Sequence, residues 1–234
     1  MERKGEYKMF LKVGHRGARA YETENTIESF RKAIELGANA VELDVRQSGD
    51  EKLIISHDDN LKKVFGKDRQ INIATFEELK QLSSDRLSSL EEALTFIDKK
   101  VDKILVELKE TGYEKKVLDV IRKQRLKDRV IIVSFHEESL SNISKLDSEI
   151  ETGLIYTKFG SKIRDPARSA IKLNARYLVP LYRFVHTKDI EKAHDNNLKV
   201  IVWTINTKEE AREYIAKGVD GIASDKPDIF KGIA

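Results

Sequence analysis

The chain has 234 residues, 40% of them hydrophobic, which is enough for one sizeable core and cramped for two ordinary domains. Lys and Arg number 43 against 40 Asp and Glu, a net charge of +3, so the sequence lacks the basic excess that nucleic acid requires and no nucleic-acid partner is expected. Cysteine is absent, which excludes disulfides, thiolate metal sites and cysteine nucleophiles.

The first residues, Met1 to Phe10, are charged and carry no apolar run of signal-peptide length. No stretch approaches the ~20 apolar residues of a membrane span. A cytoplasmic location without integral membrane contact is the expectation.

In chain order, short apolar runs rich in β-branched residues alternate with longer segments of helical period. Strands are predicted at Phe10–Gly14, Ala40–Val45, Lys103–Glu107, Val130–Val133, Thr152–Tyr156, Tyr177–Pro180, Lys199–Trp203 and Val219–Ala223. Several read as continuously apolar, the pattern of strands covered on both faces. Between them, Thr26–Leu36 carries Ile27, Phe30, Ala33 and Ile34 on one stripe, Tyr113–Gln124 carries Val117, Leu118, Val120 and Ile121, and Lys208–Lys217 carries Ala211, Tyr214 and Ile215. Strand–helix alternation repeated eight times predicts a closed parallel TIM (β/α)8 barrel. A doubly wound open sheet competes, but Gly14, Gly17 and the stretch between them do not form a G-x-G-x-x-G fingerprint.

The rhythm breaks between Val45 and Lys103. A short extra strand at Leu53–Ser56 is followed by polar sequence to Ser89, with helical pieces near Phe76–Leu82 and Leu90–Ile97. The expected organisation is one domain over residues 1–234, with residues 46–89 an insertion after strand 2 packed over the barrel mouth.

The charged residues fall at the carboxyl ends of the predicted strands, where barrels place their active sites. Strand 1 runs into His15-Arg16-Gly17; taken alone this is equally a loop histidine with a solvated arginine. Strand 2 carries Glu42 and Asp44, which alternation puts on one face while Val41, Leu43 and Val45 take the other. Two such carboxylates repel and resist desolvation, and a hard divalent cation compensates them directly. A barrel lysine paired with either one would do so more simply. Strand 3 ends with Glu107 and Lys109, a third oxygen ligand and a point charge suited to a phosphate oxygen, or an ordinary structural ion pair. The extra strand ends at His57. Phosphodiester cleavage needs these types together: a cation and basic groups to neutralise phosphoryl charge, and two groups titrating near neutrality to exchange protons with nucleophile and leaving oxygen.

His15-Arg16-Gly17, Glu24-Asn25-Thr26, Glu42-Leu43-Asp44, His57-Asp58, Glu107-Leu108-Lys109, Trp203-Thr204-Ile205-Asn206 and Gly218-Val219-Asp220-Gly221 through Asp225-Lys226-Pro227 together resemble the glycerophosphodiester phosphodiesterase family of the bacterial and archaeal cytoplasmic type. They occur in the family's order and cover nearly the whole chain. The resemblance implies a TIM barrel that hydrolyses small-molecule glycerophosphodiesters to sn-glycerol 3-phosphate and an alcohol. By position it implies Glu42, Asp44 and Glu107 as ligands of one Mg2+ or Ca2+, His15 and His57 as the general acid/base pair, and Arg16 and Lys109 on phosphate oxygens. It also opens a route through a cyclic phosphate, with the glycerol 2-hydroxyl attacking first. Trp203 is the candidate wall against glycerol or the leaving alcohol, with core packing as its simpler role. Asn25 or Thr26 suits a helix N-cap, a substrate or metal role for Glu24 or Asn25 stays open beside it, and Asp225 reads as structural.

The chain departs from the family's pattern in places. Asp50-Glu51 stands for the usual Asp-Gly, Ser88-Ser89 for Pro-Thr before Leu90, Asn197 for a helix-ending glycine, and Lys62-Lys63-Val64-Phe65 for a threonine-rich run. Three other readings stay open at this stage. One is a lysophospholipase D-type enzyme using Tyr156, Phe159, Tyr182 and Phe184 as an apolar track. Another is an aldolase or isomerase barrel with Lys109 as a Schiff-base lysine. The third is a non-catalytic phosphate-binding protein.

Overall fold

The computed structural model describes residues 9–157 and 163–233. Among the described residues nine strands form, in chain order β1 (Leu11–Gly14), β2 (Ala40–Gln47), β3 (Leu53–Ile55), β4 (Lys103–Leu108), β5 (Val130–Ser134), β6 (Glu151–Tyr156), β7 (Tyr177–Pro180), β8 (Lys199–Val202) and β9 (Gly221–Ser224). All except β3 pair in parallel, and β1 joins both β2 and β9, which closes the barrel expected from the alternation. The helices are α1 (Ile27–Glu35), α2 (Lys62–Phe65), α3 (Phe76–Leu82), α4 (Leu90–Ile97), α5 (Glu114–Lys123), α6 (Glu137–Leu146), α7 (Pro166–Lys172), α8 (Thr187–Asp195) and α9 (Lys208–Ala216). Among the described residues, no helix is long and apolar enough to cross a membrane.

The alternation of β2 settles where its carboxylates go. Val41, Leu43 and Val45 pack outward in the layer shared with α1, α4 and α5, together with Ile104, Val106 and Leu108 of β4. The barrel interior is filled by Val13, Ala40, Leu105, Ile131, Val133, Ile155, Val179, Ile201 and Ala223. Glu42 and Asp44 share the inward parity of Ala40, and Glu107 that of Leu105. In the parallel register Asp44 stands directly beside Glu107.

β2 runs two residues further than its apolar pattern suggests, because β3 pairs antiparallel with its end, Val45 to Ile55 and Gln47 to Leu53. The segment between β3 and α4 has its own small core of Ile54, Leu61, Ile71, Ala74, Leu79 and Leu87. α4 itself belongs to the barrel layer, through Leu90, Ala93, Leu94 and Ile97. Its start is capped by a serine. Ser89 accepts from the Glu92 backbone amide at 3.2 Å, and the Glu92 carboxylate accepts from the Ser89 amide at 2.8 Å, a reciprocal box.

Candidate active site

The turn after β1 is built by a tight approach to α1. Gly17 has φ +83°, and a Cβ there would lie 2.4 Å from Ser29 Oγ, so only glycine fits. The Ser29 hydroxyl in turn donates to the Arg16 carbonyl at 2.8 Å. This turn sets His15 and Arg16 at the carboxyl end of the barrel. Thr26 is the N-cap of α1, accepting from the Ser29 amide at 3.2 Å. Asn25 is left for another task, and its φ of 58° is one that asparagine tolerates better than most residues. Asn25 Nδ2 donates to Asp44 Oδ2 at 2.7 Å, while Asn25 Oδ1 accepts from the Asp44 amide at 3.2 Å.

Glu42, Asp44 and Glu107 are all buried, and each offers an oxygen lying within 4.8 Å of the others. Two buried oxygens of this group, Glu42 Oε1 and Asp44 Oδ1, have no hydrogen-bond donor. Oxygen-only ligands with unmatched lone pairs are what a hard divalent cation takes, so the three residues could hold one. Arg16 and Lys109 close the cluster. The Arg16 amide donates to Glu42 Oε2 at 2.8 Å, its Nη1 to Glu24 Oε1 at 2.8 Å, and its Nε is ion-paired with Asp44 Oδ2 at 3.2 Å. Lys109 Nζ donates to Glu107 Oε1 at 2.6 Å and lies 3.4 Å from Asp44 Oδ1.

Glu42, Asp44 and Glu107 thus face two cations, Arg16 and Lys109, and Arg16 is shared with Glu24, which also lies 3.5 Å from Arg19. The carboxylates outnumber the cations in this buried setting, an imbalance that a divalent cation would offset. The side chains carry the imprint of that imbalance. Burial, then repulsion from Asp44 and Glu107, raises Glu42 well above the ordinary carboxylate range. Burial and Asp44 push Glu107 up to about 7. Burial would raise Asp44 too, but Lys109 and Arg16 outweigh it and hold it low.

The two imidazoles come from different parts of the chain, one from the turn after β1 and the other from the insertion after β2. His15 follows β1 and is almost fully buried; its Nδ1 lies 2.7 Å from Asp225 Oδ1. His57 follows β3 and is half-buried, with Nδ1 2.6 Å from Asp58 Oδ1. Asp58 is also 3.5 Å from Lys63 Nζ. Burial lowers both histidines below their ordinary value, which keeps the neutral, proton-accepting form available near neutrality.

Six of these side chains open on one cavity of about 180 Å³. His15, Arg16, Glu42, His57, Glu107 and Lys109 form its polar side; Leu105, Val133, Phe135, Ile155, Val179, Trp203 and Ala223 form its apolar side. Trp203 both packs against the barrel interior and faces this cavity. Its Nε1 donates to the Val179 carbonyl at 2.8 Å, so the indole offers the cavity a hydrocarbon surface. Phe135 meets it edge to face at 5.9 Å.

The geometry brings together His15, Arg16, Glu42, Asp44, His57, Glu107, Lys109 and Trp203, joins Asn25 to them through Asp44, and adds Asp225 and Phe135. Phe135 was legible: it lies two residues beyond the inward Val133. The proposed apolar track is corrected. Tyr156 and Phe184 line a different cleft, with Leu178 and Pro166, because Ile155 is the inward residue of β6 and Tyr156 packs on the helix side. Tyr182 is turned to Glu210, donating to it at 2.8 Å. Phe159 lies outside the described residues. His136, His186 and His194 stay out of the cavity.

A closed parallel barrel whose carboxyl end gathers a carboxylate cluster, two cationic side chains and two imidazoles has the architecture of a metal-assisted phosphodiesterase. The chain belongs to the glycerophosphoryl diester phosphodiesterase family, whose pattern matches residues 15–229. It is 30% identical over 233 residues to the glycerophosphodiester phosphodiesterase of Caldanaerobacter subterraneus subsp. tengcongensis, covering 93% of this chain and 95% of that protein. The crystal structure of a glycerophosphodiester phosphodiesterase from Thermotoga maritima superposes with a TM-score of 0.84 at 32% identity, over 96% of this chain and 98% of that one. A phosphodiesterase from Oleispira antarctica, solved with the product sn-glycerol-3-phosphate, superposes with a TM-score of 0.82 at 25% identity, over 94% of both chains.

Proposed function

We propose that this protein hydrolyses glycerophosphodiesters to sn-glycerol 3-phosphate and an alcohol, using one divalent cation, Mg2+ or Ca2+, held by Glu42, Asp44 and Glu107. The observation that carries this reading is the convergence of three buried carboxylates from two adjacent strands beside Arg16, Lys109 and two imidazoles in one cavity. The product bound by the Oleispira relative supports the substrate class. When bound, the cation would polarise a phosphoryl oxygen and offset the charge that develops on it.

The side chains do the rest. Arg16 and Lys109 hold phosphate oxygens from the positions where they now balance the carboxylates. His15 takes the proton of the attacking glycerol 2-hydroxyl, and His57 delivers a proton to the departing alkoxide, leaving a cyclic phosphate. Water then opens the ring, with His57 taking its proton and His15 returning one to the 2-oxygen. Trp203 lies against the carbon skeleton of the substrate. Residues 1–234 act as a single domain, and residues 46–89 form the insertion over the mouth that delivers His57. The substrate is a small water-soluble molecule, and the protein works in the cytoplasm.

The test is a substrate panel, with glycerophosphocholine, glycerophosphoethanolamine and lysophosphatidylcholine assayed in EDTA and then with Mg2+, Ca2+ or Mn2+ restored. Turnover of the glycerophosphodiesters should vanish in EDTA and return with metal. Glu42→Ala should abolish it while the barrel stays folded, and His15→Ala should lose turnover yet still bind the cation. Hydrolysis that ignores EDTA, or faster turnover of lysophosphatidylcholine, would refute the proposal.

A further inference from the structure

The carboxylate behind His15 is itself held in one orientation by a second residue. Asp225 follows β9, two residues beyond the inward Ala223. Its Oδ1 receives His15 Nδ1 at 2.7 Å, and its Oδ2 receives Asn206 Nδ2 at 3.0 Å. Arg19 Nε stands 3.5 Å from the same Oδ1. Asn206 cannot turn its amide over without loss. Its Oδ1 accepts from the Asp225 backbone amide at 2.9 Å and from the Ser224 hydroxyl at 3.1 Å, and a backbone N–H is a donor whatever the protonation state. The orientation of Asn206 is therefore fixed, with its NH2 toward Asp225. A carboxylate so placed can only accept from His15, which puts the ring proton on Nδ1 and leaves Nε2, with its lone pair, for the cavity that His15 lines. His57 has no equivalent arrangement: its partner Asp58 is the next residue in the chain and is shared with Lys63.

We propose that Asp225 and Asn206 are positioning residues for the reaction: Asn206 orients Asp225, and Asp225 fixes His15 as the Nδ1–H tautomer that can act as base through Nε2. This rests on the hydrolytic function proposed above and assigns it two residues outside the cation cluster.

The arrangement makes an unusual demand on conservative substitution. In Asp225→Asn, the new amide must place its oxygen toward the Asn206 NH2, so its own NH2 faces His15 Nδ1. That nitrogen then becomes an acceptor, the ring proton moves to Nε2, and the base is lost. Asp225→Ala lets water take the place of the carboxylate and leaves the tautomer free. The isosteric variant is thus the worse one, the reverse of what a packing role gives. We expect Asp225→Asn to lower kcat by about 10²-fold or more, with KM changed by less than about 3-fold, and Asp225→Ala to lose less. In an Asn206→Ala background the new amide can rotate, so Asn206→Ala/Asp225→Asn should regain part of the loss. The deficit should persist with the p-nitrophenyl ester of sn-glycerol 3-phosphate, whose leaving group needs no acid.

A readout independent of turnover is the 15N spectrum of the His15 ring, which should show Nδ1–H in the native protein and Nε2–H in Asp225→Asn. Asp225→Asn as active as Asp225→Ala, or an unchanged ring tautomer in folded Asp225→Asn, overturns the proposal. If the native protein hydrolyses no glycerophosphodiester, the functional reading fails instead, and the ring spectrum still decides the tautomer.

Discussion

Glu51 and Asn197 both have left-handed backbone, with φ of 62° and 57°, a conformation that favours glycine. Asparagine meets the demand of Asn197 with little strain, whereas a glutamate in that region costs roughly 1 kcal/mol or more. The Glu51 side chain gives little back, since its partner Lys116 is itself exposed. Glu51→Gly should therefore raise stability by about 0.5–1 kcal/mol, read as a higher urea midpoint with an unchanged m-value; a lower midpoint would show that the Lys116 pair outweighs the strain. At this scale the candidate site was largely legible. A period of two placed Glu42 beside Asp44 and Glu107 beside Lys109, and only an inward face explains charges in such apolar strands. Asn25 and Asp225 were harder. Their roles lie in contacts to Asp44 and His15, 19 and 210 residues away, and no local pattern separates them from a cap and a turn aspartate.

α5 and α6 are tied at the end of α6 by Asp147, its C-cap. Lys127, which follows α5, lies 2.9 Å from Asp147, and Arg122 within α5 donates to it at 3.0 Å. The hydrogen bond from Lys127, then that from Arg122, holds Asp147 down at about 2 against an ordinary value of 3.8, burial working the other way. Because the folded value is the lower one, the stabilisation is present above about pH 4 and is lost as the pH falls toward 2. Asp147→Asn should cost up to about 1 kcal/mol at pH 7 and almost nothing near pH 2. Melting curves of both proteins across that range check it, and a gap that widens in acid would contradict the assignment. Elements were legible where they bury a strong apolar stripe. The strands and α1, α5 and α9 stand out, whereas α7 buries only Ala167 and Ala170, and α8 only Ile190 and Ala193, too little hydrophobic contrast to mark them in advance. The overrun of β2 was hidden for another reason: Arg46 and Gln47 belong to a strand only because β3 pairs with them.

Across the whole molecule, the charge deficit of the cluster makes cation binding a contribution to stability. A dication at about 100 times its Kd should add about 2.7 kcal/mol, or roughly 5–10 °C in Tm for a chain of this size. Calorimetry with and without Mg2+ or Ca2+ measures this, and Glu42→Ala should erase the shift; an equal shift in that variant would place the ion elsewhere. The eightfold architecture could be anticipated because each βα unit repeats the same burial problem, whereas how the segment after β2 packs depends on contacts far apart in sequence. That segment has hydrophobic filling separate from the barrel's, yet it brings His57 to the cavity lined by His15, which is anchored to Asp225 beside β9. One half of the proposed acid/base pair is therefore mounted on the frame and the other on an attachment seamed to it along three residue pairs of β2 and β3. Such an attachment can be reshaped while Glu42, Asp44 and Glu107, which belong to the frame, stay untouched.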